Sequence, residues 1–133
     1  MVEQSLVFMK PDVVKDGQVG AILQRFEEAG FEIKQAQLLT MSEILTDRHY
    51  EEHVSKPFYP GLKDYIMSGP IFVMVLSGED AIGRIREMLG ATDPKAAAPG
   101  TIRAEFGKDM THNAVHASDS VASAEREMAN FFG

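Results

Sequence analysis

The stretch Gly69-Pro-Ile-Phe-Val-Met-Val-Leu-Ser-Gly78 contains the longest apolar run of the chain, from Ile71 to Leu76. A Gly-Pro pair precedes the run and a glycine follows it, and such residues are typical boundaries of a strand. A continuous apolar strand is typical of the middle of a sheet, where both faces are buried. The run is far too short to cross a bilayer. We therefore expect a globular protein whose sheet is centred on this strand.

The segments on either side alternate between strand and helix patterns. Further strand patterns cover Ser5–Met9, Phe31–Thr40 and Asn113–His116, and helical spacing of apolar residues covers Val19–Phe26, Leu62–Met67, Ala81–Leu89 and Val121–Phe132. Ser42 and Thr46 are candidate N-caps of two short helices that end near Val54. This order predicts an α+β fold, an α/β sandwich in which helices pack on a ferredoxin-like, four-stranded antiparallel sheet.

Two glycines and one long connection add detail to this prediction of the fold. Gly30 and Gly90 stand where helix C-caps are expected. Between Ala91 and Met110 the periodic pattern fades, apart from a short piece at Ile102–Phe106. A connection of that length in a compact domain is usually functional.

The bulk composition excludes several classes of protein. With 44% apolar and 25% charged residues over 133 positions, it is that of an ordinary soluble protein, and we expect one domain spanning residues 1–133. No signal peptide opens the chain, so the expected location is cytoplasmic, without membrane association. The absence of cysteine excludes disulfides and thiolate metal sites. The net charge of -7 argues against nucleic acid as a partner.

Residues 111–120 concentrate the side chains that are suited to chemistry. This segment contains His112, Asn113, His116, Ser118 and Asp119. His116 ends the predicted last strand, and either Ser118 or Asp119 is suited to cap the helix that follows. A histidine at a helix start faces backbone N–H groups that favour an anion such as phosphate. From these residues alone, a loop histidine satisfied by its neighbours ranks ahead of an active one.

A second histidine cluster matches a metal pattern. His49-Tyr-Glu-Glu52-His53 has the letters of the H-x-x-E-H zinc-protease motif, and Glu125 or Glu127 is a candidate third ligand if the last helix lies alongside. Five-residue patterns recur by chance, and a protease also needs a cleft that a chain of this size can hardly build. A solvated, charged helix face is therefore the favoured interpretation.

Phosphate-binding motifs of the glycine-rich kinds are absent, since the chain has neither a P-loop nor a dinucleotide fingerprint. Isolated cations do stand at the ends of predicted elements: Lys10, Arg86 and Arg103. Each alone is an ordinary surface charge, but together with His116 they are suited to a phosphate clamp. Phe58, in a proline-rich turn, either packs on its own domain or offers a face on which any base stacks.

Blocks spread along the chain resemble the nucleoside diphosphate kinase family. Asn113-Ala-Val-His116-Ala-Ser118-Asp119 resembles the family's active-site signature, Asn-x-x-His-Gly/Ala-Ser-Asp. The resemblance extends through Lys10-Pro11-Asp12, Lys56-Pro-Phe-Tyr-Pro-Gly-Leu62, Ser68-Gly-Pro70, Met88-Leu-Gly-Ala-Thr92-Asp-Pro94, Pro99-Gly-Thr-Ile-Arg103 and Ser118-Asp-Ser-Val121, in order and over essentially the whole chain. Val13 departs from the Gly or Ala common after Lys-Pro-Asp. This series of blocks ranks a functional His116 first.

The resemblance implies transfer of the γ-phosphate of a nucleoside triphosphate to a nucleoside diphosphate, by a ping-pong route through a phosphohistidine on His116. It implies Mg²⁺ as the cofactor, held mainly by the nucleotide phosphates, with no dedicated metal ligand in the protein. Glu127 would fix the ring tautomer of the histidine. The remaining implied roles are phosphate binding by Arg86, Thr92 and Arg103, phosphate and sugar contact by Lys10, ribose binding by Asn113, base stacking by Phe58 beside Leu62, and positions around the histidine for Tyr50 and Ser118.

The resemblance also implies a homo-oligomer, either a tetramer or a hexamer built from a common dimer. Many family members continue beyond the position of Gly133 with a tail that contributes to subunit contacts, so the sequence leaves the assembly open. Two other functions compete with the kinase. A non-enzymatic ferredoxin-like module would bind a nucleotide for regulation without phosphate exchange, and a zinc hydrolase would lose activity on chelation.

Overall fold

The computed structural model describes residues 1–133 and contains four strands and seven α-helices. The strands are β1 (Val2–Met9), β2 (Glu32–Leu39), β3 (Ile71–Glu79) and β4 (Val115–Ala117). The helices are α1 (Pro11–Lys15), α2 (Val19–Glu28), α3 (Glu43–His49), α4 (Tyr59–Ile66), α5 (Ala81–Leu89), α6 (Ile102–Phe106) and α7 (Val121–Phe132), and a 3₁₀ turn covers Glu51–His53. None of these helices is both long and apolar enough to cross a membrane.

The sheet has the strand order β2-β3-β1-β4, and every neighbouring pair is antiparallel. The apolar run Ile71–Leu76 lies in β3, between β2 and β1, as expected for a strand buried on both faces. The predicted ferredoxin-like α+β fold is confirmed.

Helices cover both faces of the sheet because β1 and β3 are apolar on both sides. One face carries Val7, Met9, Met74 and Leu76 against residues of α2 and α5, among them Ile22, Phe26, Ile85 and Leu89. The other carries Leu6, Phe8, Val73 and Val75 against Met41, Ile66, Met128 and Phe131. β4 is short, and it places its residues between α5 on one side and α7 on the other.

Three local predictions are corrected by the structure. The polar exit after the first strand forms a short helix, α1, since Pro11 occupies its first turn, where no N–H donor is needed. α4 begins at Tyr59 rather than Leu62 for the same reason, with Pro60 in its first turn. β2 is mostly exposed rather than half-buried, because it is an edge strand with a bulge between Ile33 and Gln35.

Candidate active site

His116 lies in the middle of the short strand β4. It pairs with Phe8 of β1, and its ring stacks on that phenyl ring with centroids 4.9 Å apart. Because paired residues point to the same face of a sheet, this register directs His116 towards α3 and α7. The side chain is 23% exposed, so one edge of the ring remains accessible.

Glu127 of α7 holds the opposite edge of that ring. Its carboxylate is 4% exposed and lies 3.1 Å from Nε2 of His116, and it also accepts a hydrogen bond of 2.6 Å from the Ser118 hydroxyl. Since a carboxylate only accepts hydrogen bonds, the proton of a neutral imidazole is held at Nε2. Nδ1 makes no hydrogen bond within the chain and keeps its lone pair.

The residue that caps α7 differs from the prediction. Ser120, rather than Ser118 or Asp119, accepts the backbone hydrogen bond from Ser123. Ser118 is fully buried, accepts a hydrogen bond of 3.0 Å from the Leu6 amide, and donates to Glu127. The serine thus ties the end of β4 to β1 and to the carboxylate. The physical reason is spacing, because the cap must precede the first helical residue directly.

A cavity of about 330 Å³ opens beside His116. Of the predicted residues, it is lined by Tyr50, Arg86, Thr92, Arg103, His116 and Glu127. Three guanidinium groups (Arg86, Arg103, Arg126) and three carboxylates (Glu52, Asp119, Glu127) lie in its wall. The concentration of guanidinium groups around a nucleophilic nitrogen suits an anionic substrate such as a phosphate ester.

Both predicted arginines are anchored to the strand that carries the histidine. Arg86 donates a hydrogen bond of 3.2 Å to the Ala117 carbonyl, and Arg103 donates one of 2.9 Å to the Val115 carbonyl. Burial lowers the pKa of Arg103 to about 10, with a further contribution from the charge of Arg86. Arg103 therefore remains protonated at neutral pH, and an anion between the two guanidinium groups would relieve their repulsion.

Gly90 allows Arg103 to reach this position. It follows α5 with a φ of 83°, and a Cβ built there would lie 2.6 Å from the Thr101 hydroxyl oxygen. This close approach brings the start of α6 against the end of α5, and Arg103 donates a further hydrogen bond of 3.2 Å to the Gly90 carbonyl. A side chain at this position would therefore separate the two segments that hold the guanidinium.

Lys10 and Asn113 form a buried pair next to the cavity. Nζ of Lys10 donates hydrogen bonds of 2.7 Å to the Asn113 side chain and 3.0 Å to the Thr111 carbonyl, and Asn113 donates one of 3.0 Å to the Thr92 carbonyl. Burial, with a smaller contribution from Arg103, lowers the pKa of Lys10 from 10.5 to about 8. The ammonium therefore remains mostly protonated at neutral pH and adds a fourth cation to the three guanidinium groups of the cavity wall.

A second, more open groove of about 550 Å³ is bordered by Phe58, Leu62, Thr111 and His112. Phe58 precedes α4 and is 55% exposed, so more than half of its surface is available to a ligand, while its ring also lies beside that of His53. Thr111 borders this groove, and its carbonyl accepts from Lys10. The predicted residues thus fall into an ionic cavity and an aromatic groove that the Lys10–Asn113 pair connects. This division matches a ligand with a charged end and a flat end.

Comparison with known proteins decides the family. Residues 3–133 match the sequence profile described as nucleoside diphosphate kinase. The nucleoside diphosphate kinase of Desulforamulus reducens is 47% identical over 130 residues, which cover 98% of this chain and 87% of that protein. The chain belongs to the nucleoside diphosphate kinase family. Members of this family are phosphotransferases, so the predicted enzyme class is confirmed.

Solved structures of the family agree in fold. The nucleoside diphosphate kinase of Aquifex aeolicus superposes with a TM-score of 0.96 at 42% identity, covering 100% of this chain and 96% of that one. The Halobacterium salinarum enzyme, solved in complex with CDP, gives a TM-score of 0.96 at 43% identity, covering 99% and 88% of the two chains.

The five residues of the zinc-protease pattern do not adopt the arrangement that the motif requires. α3 ends at His49 and the 3₁₀ turn begins at Glu51, so the five residues do not share one helical face. Instead, the ring of His49 meets the ring of His116 edge to face, with centroids 4.6 Å apart. Burial holds the pKa of His49 well below its usual value of 6.5, so this imidazole is neutral.

The sequence interpretation missed His49 as a site residue. It is 5% exposed, and its Nδ1 has no hydrogen-bond partner. Local sequence carried no signal for its contact with His116, since the two residues lie far apart along the chain. Tyr50, its predicted neighbour in the site, lines the cavity, and burial raises the pKa of its phenol, which therefore remains a hydrogen-bond donor.

Proposed function

We propose that His116 carries the phosphoryl group between nucleotides in this kinase. The observation that carries the proposal is the pairing of Nε2 with the buried carboxylate of Glu127 at 3.1 Å, which leaves the lone pair on Nδ1. Arg86 and Arg103 line the same cavity as His116, and Lys10 lies next to it through its hydrogen bond to Asn113. A phosphoryl donor bound there would meet a neutral nucleophile and compensated charge.

Each half of the reaction is an in-line displacement at phosphorus. Nδ1 forms a bond to the γ-phosphorus of the triphosphate, and the bond to the bridging oxygen breaks, so that the diphosphate leaves with the electron pair. A second diphosphate then attacks the same phosphorus and restores the neutral imidazole. Glu127 stabilises the positive charge that develops on the ring in both halves, and Ser118 keeps the carboxylate in place.

The other residues are proposed to bind and position the nucleotide. Arg86 and Arg103 pair with the transferred phosphate, and Thr92 and Tyr50 supply uncharged donors beside them. Lys10 bridges phosphate and sugar, with Asn113 on the ribose hydroxyls. Since phosphoryl transfer depends on positioning and charge compensation, these contacts account for most of the expected catalysis.

Mg²⁺ is proposed to arrive with the nucleotide. The ion prefers oxygen donors in an octahedral arrangement and keeps several waters. Glu52 and Asp119 place carboxylates in the wall of the same cavity as the proposed phosphate ligands, so the residues fit a magnesium ion. We expect the phosphates to hold most of its coordination sites. When bound, the ion neutralises charge on the phosphates and makes the diphosphate a better leaving group.

The reaction is tested by phosphate exchange between ATP and GDP. We expect GTP and ADP to form, with parallel lines in double-reciprocal plots at several fixed concentrations of the second substrate, because the phosphoenzyme separates the two half-reactions. A regulatory module would bind both nucleotides without exchange, and a zinc hydrolase would release free phosphate instead. Either result contradicts the proposed function.

Phe58 is proposed to stack on the base. Stacking contributes about 1–3 kcal/mol per base and tolerates any base, because every base has a flat π-face. We therefore expect Phe58→Ala to raise the KM for purine and pyrimidine nucleotides alike, by about 5- to 100-fold. Phe58→Tyr, which keeps a flat ring, is the matched control and should bind as wild type. A loss confined to purines contradicts stacking without edge recognition.

We infer that residues 1–133 act as one kinase domain within a homo-oligomer. Support for assembly comes from β2, which is an edge strand with an unpaired side, and from Leu38, which is 57% exposed on it. A mass measurement by light scattering distinguishes a dimer from a tetramer or a hexamer. The cytoplasmic location and the absence of a nucleic-acid partner remain predictions.

A further inference from the structure

His49, His116 and Glu127 form a cluster that the phosphotransfer reaction does not fully use. One potential ligand atom from each residue lies within 4.8 Å of those of the other two. We propose that these three side chains form a binding site for a divalent transition metal such as Zn²⁺, and that occupancy of this site excludes phosphorylation of His116. The site is distinct in its donors from the magnesium–phosphate centre, because it offers two imidazole nitrogens.

The geometry is close to that of a zinc site with an open position. Zinc is commonly held by three protein ligands, such as two histidines and one glutamate, with water in the fourth position. Bond lengths of about 2.0–2.2 Å at tetrahedral angles place ligand atoms about 3.3–3.6 Å apart. His116 Nε2 and Glu127 Oε1 are already 3.1 Å apart, and no separation within the cluster exceeds 4.8 Å, so the ligand atoms of His49 would approach the other two by no more than about 1.5 Å.

His49 is the member of the cluster that lacks any other partner. The side chain is almost fully buried, neither ring nitrogen makes a hydrogen bond within the chain, and Nδ1 is inaccessible and unpaired. An unpaired buried polar atom costs free energy, and at His49 this feature coincides with two further ligand atoms at short range. A metal ion in the cluster would give this ring the partner that it lacks.

Carboxylates offset much, but not all, of the positive charge that a dication would meet at the cluster, since the Lys10 ammonium lies beside the cavity as well. The three carboxylates in the cavity wall, Glu52, Asp119 and Glu127, balance the three guanidinium groups there. Ser118 donates to Glu127 and would continue to orient the carboxylate as a ligand, in the way that outer hydrogen bonds support metal sites.

Metal binding would remove the nucleophile whichever nitrogen of His116 it used. If the metal binds Nε2, the single proton of the neutral imidazole moves to Nδ1, and Nδ1 loses its lone pair. If the metal binds Nδ1, it occupies that lone pair directly. A phosphoryl group on His116 would in turn crowd the cluster. Zn²⁺ and the phosphoryl group are therefore expected to be mutually exclusive, a consequence that rests on the proposed role of His116.

The binding test is independent of catalysis. Titration of the nucleotide-free protein with Zn²⁺ in a calorimeter should show one ion per chain. His49→Gln should weaken this binding by more than about tenfold, since even changes behind the ligands commonly cost 10- to 100-fold. His53→Gln is the matched control: it lies in the same cavity wall and also has a buried, unpaired Nδ1, but it is outside the cluster. It should bind as wild type.

Further measurements distinguish loss of the metal site from misfolding of a variant. His116→Gln should lose the ion as well, and this variant tests the site if circular dichroism shows that His49→Gln is unfolded. Co²⁺ should give visible absorption bands only with the intact cluster. Three results would overturn the proposal. They are equal Zn²⁺ affinity in the wild type and His49→Gln, loss of Zn²⁺ binding in His53→Gln alone, and the absence of stoichiometric binding to the wild type. Tight binding without slower phosphoenzyme formation from labelled ATP would overturn the proposed exclusion while leaving the metal site intact, and the His116→Ala variant tests the role of His116 separately.

Discussion

His116→Ala should abolish both nucleotide exchange and self-phosphorylation. The variant removes the only nitrogen that combines a lone pair, a fixed tautomer and contact with the cavity that Arg86 and Arg103 line. The other two histidines of the cavity are not comparable nucleophiles, because neither His49 nor His53 makes a hydrogen bond that fixes its tautomer, and Nδ1 of each is inaccessible. We expect exchange to fall to background and no acid-labile label to appear on the protein after incubation with γ-labelled ATP.

Two controls make this result specific. Loss of the ring also removes its stacking on Phe8, so circular dichroism and the melting temperature must show that the variant is folded. His112→Ala changes a nearby histidine whose Nδ1 only contacts the exposed Asp109, and it should still form the acid-labile phosphoenzyme. An acid-labile phosphoenzyme in His116→Ala would show that the phosphoryl group is carried elsewhere.

Glu127→Gln should lower kcat by about 10- to 100-fold with little change in the KM for nucleotides. The carboxylate is 4% exposed and accepts from both His116 and Ser118, so its charge acts on the ring at short range. A hydrogen bond to a charged group contributes about 1.5–3 kcal/mol, which corresponds to about 10- to 100-fold in rate. The amide retains the shape but not the charge that stabilises the developing imidazolium.

Glu125→Gln is the matched control for that variant. It makes the same chemical change on the same helix at an exposed position, and its kcat should equal that of the wild type. Steady-state rates with ATP and GDP at saturating Mg²⁺ provide the comparison. A wild-type kcat for Glu127→Gln, or an effect confined to KM, would contradict the assigned role in orienting and stabilising the histidine ring.

Much of the fold could be predicted because its signals are local. The apolar run Ile71–Leu76 identified the central strand, and the periodic apolar residues of α2, α5 and α7 identified long helices. Predictions failed where a single residue or the edge of the sheet decided the outcome. Prolines in the first turns created α1 and extended α4, and β2 lost its burial because no further strand or helix covers its outer side.

The site could be predicted in part, through sequence blocks rather than through physical reasoning alone. Every residue named from the resemblance except Ser118 lies in the ionic cavity, in the aromatic groove or in the pair that connects them, and Ser118 is buried behind the cavity, where it donates to Glu127. The cap of α7 was misassigned, and His49, which was expected on a solvated helix face, is buried against the ring of His116. Ala114, which follows Asn113, adopts a φ of 75°, a conformation that sequence does not predict for alanine.

The sequence by itself determined the strand and helix order and the family, and it singled out His116 as the proposed nucleophile, since these depend on periodicity and on ordered blocks of residues. Only the tertiary structure decided what surrounds that nucleophile. The antiparallel register of β1 and β4 places His116 over Phe8, α7 brings Glu127 to Nε2, and α3 brings His49 against the ring. These contacts join segments far apart in the chain, and packing of the sheet against its helices sets their distances.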